Sequence, residues 1–242
     1  MTTPGQKPTV VLVHGAFAES SSWNAVVGHL HQQMVPVVAV ANPLRSLAGD
    51  AQYVRDVLAS IDGPVVLVGH SYGGMVITEA AAGDPGVVGL VYVAAFTPDT
   101  GETAFDLSAK FPGSTLGDTL DAHPVSTGGV ELVIRQDVFG EQFAADVDDD
   151  LTALMAATQR PVTQAALTDG LPTAQPAWRT IPSWVVYGEA DRNIPAELIR
   201  FMAERAGART VTEVPGASHA LSVSHPVTVA ETILAAVRAT SD

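Results

Sequence analysis

Val65-Val66-Leu67-Val68-Gly69-His70-Ser71-Tyr72-Gly73-Gly74 runs from a solid apolar block through a Gly-x-Ser-x-Gly pentad into helix-compatible sequence. Strand, pentad and helix in that order form a nucleophile elbow. A serine hydroxyl is a useful nucleophile only when it stands proud of the fold, within reach of a base and of donors for an oxyanion. A sharp strand-to-helix turn achieves this. Gly69 and Gly73 flank Ser71 because side chains there would strike the adjoining strand and helix.

Short Val-rich runs recur on either side of the elbow. Thr9–Val13, Val35–Ala41, Val65–Val68, Leu90–Ala95, Trp184–Tyr187 and Thr210–Val214 read as strands. Each is nearly all apolar, the pattern of a strand covered on both faces. Trp23–Gln33, Ala48–Ile61, Tyr72–Ala82, Ala196–Ala206 and Pro226–Ala239 read as helices, with Ser224 and Pro226 as start signals for the last. The alternation predicts an α/β fold with a mostly parallel, doubly wound sheet. It stops between Phe96 and Pro182, where turn residues and helical pieces (Gln136–Asp146, Leu151–Gln159) replace any central strand. The expected division is a core of residues 1–97 and 177–242 and an inserted, mainly helical cap of residues 98–176, over the sheet edge where open α/β sheets bind ligands.

Composition narrows the function. The 242 residues are 47% hydrophobic and 16% charged, enough to bury a large core. No apolar run approaches the ~20 residues that span a bilayer. Met1 to Pro8 lacks the charged and apolar regions of a secretory signal, so a cytoplasmic protein is expected. Absence of cysteine excludes disulfides, zinc–thiolate sites and a thiol nucleophile. A net charge of −14 argues against nucleic-acid or anionic-membrane partners. Asp148-Asp149-Asp150 reads as a solvated helix start, not a metal site.

Three further segments fit the elbow. Val10–Val13 runs into His14-Gly15-Ala16-Phe17, where a backbone N–H joins the one after the nucleophile to make an oxyanion hole; the donors would be Ala16 and Tyr72. Trp184–Tyr187 ends in Gly188-Glu189-Ala190-Asp191, and an acid beyond that strand can orient a histidine. Glu189 and Asp191 both qualify by type. Asp191, lying between the glycine turn and Pro195, is the better placed, and Asp99 is a weaker third choice. Val214-Pro215-Gly216-Ala217-Ser218-His219 sets a histidine in the loop after the last strand. His29 and His31 sit in a polar stretch, His225 belongs to a helix start, and His70 points away from Ser71. The order Ser71, Asp191, His219 is the one this architecture uses.

With those residues in view, the chain resembles the α/β-hydrolase superfamily, and within it the esterase and hydroxynitrile lyase branch that includes plant methylesterases. The likeness rests on Val11–Ala16, Val68–Met75, Ala94–Asp99, Glu189–Pro195 and Gly216–His219. It implies a triad of Ser71, Asp191 and His219, oxyanion N–H groups from Ala16 and Tyr72, no metal or organic cofactor, and a small-molecule ester or lactone as substrate. The lyases of that branch typically carry threonine in place of Gly15 and lysine in place of Ala220, which favours an esterase here. Serine as nucleophile argues against the dehalogenases and epoxide hydrolases. A cofactor-free lyase, carbon–carbon hydrolases, perhydrolases, cofactor-free dioxygenases and a receptor-like homologue stay open on fold analogy. Phe105, Phe111, Phe139, Phe143, Leu154, Met155 and Trp178 are candidates to line a pocket, though each is the kind of residue that packs a cap on a core.

Overall fold

Valine and leucine saturate both faces of the central strands, so those strands must lie between two layers of helices. A computed structural model describes residues 7–126 and 128–241. Its strands in chain order are β1 (Thr9–Val13), β2 (Val37–Val40), β3 (Val65–His70), β4 (Val87–Val93), β5 (Leu120–Pro124), β6 (Val130–Ile134), β7 (Val162–Thr163), β8 (Ser183–Gly188) and β9 (Thr210–Val214). Six of them form one sheet in the order β2-β1-β3-β4-β8-β9, parallel throughout. The helices are α1 (Asn24–Gln32), α2 (Leu47–Ala59), α3 (Gly73–Ala80), α4 (Ala104–Ser108), α5 (Phe139–Phe143), α6 (Asp149–Thr158), α7 (Gln164–Thr168), α8 (Ala196–Ala206), α9 (Leu221–Ser224) and α10 (Pro226–Ala239).

The two-residue period of the strands divides the core. Val11 and Val13 of β1 with Val65 and Leu67 of β3 face α2, α3 and α8 through Leu47, Val54, Met75, Leu198 and Met202. Val10, Leu12, Val66 and Val68 point the other way, onto Val26 and Leu30 of α1 and Val229 and Ile233 of α10. Each fully buried aliphatic side chain contributes about 1.5–3 kcal/mol, so the two layers hold the sheet between them. The outer strands depart from the two-sided expectation. In β2 and β9, which each pair on one side only, several residues are exposed. The chain steps from β1 out to β2 and back to β3, so the crevice beyond the carboxyl ends of β1 and β3 is the switch point at which such sheets bind ligands.

Strand and helix positions follow the sequence reading to within a few residues. Trp23 closes a 3-10 turn, Ser20–Trp23, rather than opening α1. Ser224 does not cap α10; His225 occupies that position and the Ser224 hydroxyl returns to the Ala220 carbonyl. Asp148 does cap α6, accepting the Asp150 N–H at 3.1 Å. Between β4 and β8 no described residue joins the central sheet, yet β5, β6 and β7 build a separate antiparallel sheet that the sequence pattern did not announce. That segment is moored to the core. Thr163 N–H donates to Leu44 O at 3.1 Å, the Thr163 hydroxyl to Arg45 O, and Arg160 grips Glu19 through Nε at 3.0 Å. No helix among the described residues is long and apolar enough to cross a membrane.

Candidate active site

The turn after β3 is built by backbone crowding. A Cβ on Gly69 would lie 2.6 Å from Gly73 O, and one on Gly73 would lie 2.5 Å from Val13 O, so only glycine lets β3, α3 and β1 come this close. The crowding drives Ser71 into the left-handed region at φ 54°, a strained geometry for a side-chain-bearing residue. Its carbonyl accepts Gly74 N–H at 2.9 Å and Phe96 N–H at 3.2 Å, which pins the elbow to the end of β4. The loop after β1 passes directly over it. A Cβ at Gly15 would stand 2.5 Å from Ser71 Cβ and 3.2 Å from Ser71 Oγ. Among the described residues neither Ala16 N–H nor Tyr72 N–H donates to another protein group, and both residues line the same cavity as Ser71.

Two buried polar anchors fix these donors. His14 Nε2 accepts Asn42 N–H at 3.0 Å, while Asn42 Nδ2 donates to His14 O at 3.0 Å. Acceptance at Nε2 leaves the proton on Nδ1, 2.9 Å from Gly15 O. Burial lowers the His14 pKa and keeps the ring neutral. The Tyr72 hydroxyl donates to Asp50 Oδ2 at 2.9 Å. Burial, then the nearby Asp50 carboxylate, pushes the Tyr72 phenol well above its usual range, so it holds that donated proton.

The structure brings Asp191 and His219 together. His219 Nδ1 lies 2.7 Å from Asp191 Oδ2, both side chains fully buried. The other carboxylate oxygen accepts Asn193 N–H at 2.8 Å and Ile194 N–H at 2.9 Å, so the turn after β8 orients the acid. With Nδ1 donating to the carboxylate, His219 Nε2 presents a lone pair, and that atom has no hydrogen-bond partner in this structure. The bond from Ser71 Oγ to Nε2 is therefore not closed here, although such bonds commonly tighten only when substrate binds. Glu189 accepts Gly216 N–H at 3.0 Å at the surface, and both carboxylate oxygens of Asp99 accept from one guanidinium nitrogen of Arg179, so neither competes for His219.

Two residues near the site were not singled out by the sequence. His70 Nε2 donates to His219 O at 3.0 Å, and its ring lies 4.8 Å from the His219 ring, tying the elbow to the histidine loop. Burial, then the neighbouring His219, drives its pKa well down, and Nδ1 is left without a partner. Gln142, buried on α5, donates to Asn193 Oδ1 at 2.7 Å and Arg192 O at 3.0 Å and accepts from the Thr115 hydroxyl at 2.8 Å. The next carbonyl, Phe143 O, accepts Ala220 N–H at 3.0 Å and the Ser218 hydroxyl at 3.3 Å. One short helix thus holds the acid loop and the histidine loop together. No local motif announces such a clamp; a glutamine beside Phe143 in a five-residue helix was the only signal.

A cavity of about 520 Å³ opens above Ser71, in the size range of drug-like ligand pockets. Phe96, Phe105, Leu116, Leu132, Leu167 and Ile194 supply its apolar wall, and among the described residues none that lines it is charged. Of the aromatic and aliphatic candidates, Phe105 lines it. Phe139 and Phe143 stack on each other, Phe111 packs on Phe201, and Trp178 is buried with Nε1 donating to Pro98 O. Leu154 and Met155 line a second, smaller cavity. Among the described residues no cluster of His, Asp and Glu has the makings of a metal site.

Known proteins carry the same architecture. The crystal structure of polyneuridine aldehyde esterase superimposes with a TM-score of 0.81, at 21% identity, over 95% of this chain and 99% of that one. By sequence the chain is 25% identical to polyneuridine aldehyde esterase of Rauvolfia serpentina, over 95% of each. It is 24% identical to an alpha-hydroxynitrile lyase of Arabidopsis thaliana, over 91% of this chain and 93% of that one. A carbendazim-hydrolysing esterase of Nocardioides is 33% identical over 47% of this chain, a span equal to 56% of that enzyme. The profile of the alpha/beta hydrolase family matches residues 10–232. The sheet order, the elbow after β3 and that match over nearly the whole length agree: the chain belongs to the alpha/beta hydrolase family.

Proposed function

We propose that this protein is a serine esterase that cleaves a neutral carboxylic ester or lactone through an acyl-enzyme, with Ser71 as nucleophile, His219 as base and Asp191 as the acid that orients it. The observation that carries the reading is the buried His219–Asp191 bond of 2.7 Å, which leaves Nε2 unpartnered in the loop that His70 ties to the elbow. Several relatives are named esterases, among them polyneuridine aldehyde esterase and the pimeloyl-[acyl-carrier protein] methyl ester esterase of Aeromonas hydrophila, which supports ester hydrolysis as the reaction class.

The chemistry follows from the groups present. Ser71 Oγ bonds to the carbonyl carbon while its proton passes to His219 Nε2, and Asp191 stabilises the imidazolium on the opposite nitrogen. The carbonyl oxygen takes the negative charge against the Ala16 and Tyr72 N–H groups, each such donor contributing about 3 kcal/mol to the barrier reduction. The bond from carbon to the alkoxy oxygen then breaks, and the proton on Nε2 passes to the departing alcohol. Water attacks the acyl-enzyme carbon, gives its proton to Nε2 and releases the acid; the proton returns to Ser71. No charged group lines the cavity, which suits a neutral acyl group better than a carboxylate or ammonium. Residues 98–176 serve as a cap that supplies most of that wall, the core supplying the reacting groups.

The test is hydrolysis of p-nitrophenyl esters of increasing acyl length by the wild-type protein and by Ser71→Ala. Turnover that disappears in the variant, with its thermal unfolding unchanged, supports the reading. Undiminished turnover in the variant overturns it.

A further inference from the structure

We propose that the second cavity receives the alcohol arm of the ester, and that Phe17 is the wall that limits the size of that arm; this rests on the serine esterase reading above. The second cavity measures about 290 Å³ and lies between the turn that opens α1 and the exposed side of α6. Phe17 is the residue that lines both it and the main cavity above Ser71. Phe17 follows Ala16 in the chain and lines the main cavity together with it and Ser71. Its backbone is held at φ 60°, a left-handed conformation for which an aromatic residue has no local preference. Strain of that kind persists where the surroundings over-determine the position, and such residues concentrate at ligand clamps.

The chemistry of the leaving group assigns the arms. The departing alkoxide must take its proton from His219, so the alcohol leaves on the side of the histidine loop. Val223, on the helix that follows His219, lines the second cavity, whereas no residue after Ile194 lines the main one. Both cavities mix apolar and polar side chains, the second presenting Glu19, Ser21, Asn24 and Gln159 beside Leu154 and Met155. Arg160, next to that wall, is already neutralised by both oxygens of Glu19. The acyl arm therefore occupies the main cavity and the alcohol arm turns toward the second, with the Phe17 ring between them.

Two substrate series separate the arms: one acid esterified to methyl, butyl, benzyl and naphthylmethyl alcohols, and the methyl esters of acids of matching size. Phe17→Ala should raise kcat/KM for the naphthylmethyl ester at least tenfold relative to the methyl ester of the same acid, a larger change than any across the acyl series. Ala25→Trp, which fills the second cavity from the exposed start of α1, should cancel that gain when added to Phe17→Ala. A gain that follows the acyl arm, or one that survives Ala25→Trp, overturns the assignment. If Phe17→Ala unfolds, Ala25→Trp alone decides: benzyl ester hydrolysis should fall at least fivefold with the methyl ester unchanged, and equal rates for both overturn the proposal. A wild type that cleaves none of these esters, its Ser71 unlabelled by a fluorophosphonate, fails at the esterase reading itself. Cleavage of small esters with no response to alcohol size removes the arm assignment alone.

Discussion

Gln142→Ala removes the side chain that bridges the acid loop to α5. Three hydrogen bonds disappear with it: two donated, to Asn193 Oδ1 at 2.7 Å and Arg192 O at 3.0 Å, and one accepted from Thr115 at 2.8 Å. Gln142 is 4% exposed, so water does not replace these partners freely. At about 1 kcal/mol net for each bond the loss is about 3 kcal/mol, which for a chain of this size lowers Tm by about 6–12 °C. Arg192 O keeps its bond from Thr115 N–H, so the loop does not come away entirely. Asp191 likewise keeps its two backbone donors, and the bond to His219 should survive in a looser form. The account therefore expects kcat to fall about tenfold, equivalent to about 1.4 kcal/mol, with KM changed less than twofold. Steady-state ester hydrolysis alongside thermal unfolding reads both quantities. A variant that loses stability but keeps kcat would refute the positioning role and leave Gln142 as cap packing alone.

Three further outcomes are expected. Gly15→Thr would force a Cβ to within 2.5 Å of Ser71 Cβ, so it should reduce kcat/KM at least a hundredfold without conferring cyanohydrin cleavage; retained esterase rate in a folded variant contradicts the crowding argument. Burial depresses the pKa of His14 and His70 below that of a free imidazole, so the unfolded chain binds more protons and stability should fall as the pH drops below about 6.5. Each neutral histidine adds up to about 1.4 kcal/mol per pH unit to that slope, and urea melts of His70→Asn between pH 5 and 6.5 should show one proton's worth less; an unchanged slope means that His70 is not held neutral.

The elbow and its partners were readable because each rests on local chemistry. A serine between glycines after an all-apolar strand, an acid after a glycine turn and a histidine after Pro215-Gly216 need no tertiary information to be noticed. Chain order and sheet topology then brought Asp191 to His219. Other features depend on distant contacts. β5 reads Leu120-Asp121-Ala122-His123-Pro124, mostly exposed, and β7 is two residues long, so neither carries the apolar signature of a central strand. Gln142 draws its importance from partners near residues 115 and 193, and His70 from a carbonyl 149 residues away. Phe17 was visible as part of the loop after β1, but its place between two cavities exists only once α6 has packed beside it. The candidate pocket residues divided, Phe105 lining the main cavity and Leu154 and Met155 the second while the others pack, because an apolar side chain in a cap segment fits packing and lining equally well until neighbours are known.

The central claim is that Ser71 is a nucleophile activated by His219. The most direct measurement is mass-spectrometric mapping of a fluorophosphonate adduct on the intact protein, followed across pH for the wild type and for His219→Ala. The account predicts a single adduct on Ser71, with a rate that falls at least a thousandfold in His219→Ala. An adduct on another residue, or labelling of Ser71 at the wild-type rate without His219, would contradict it.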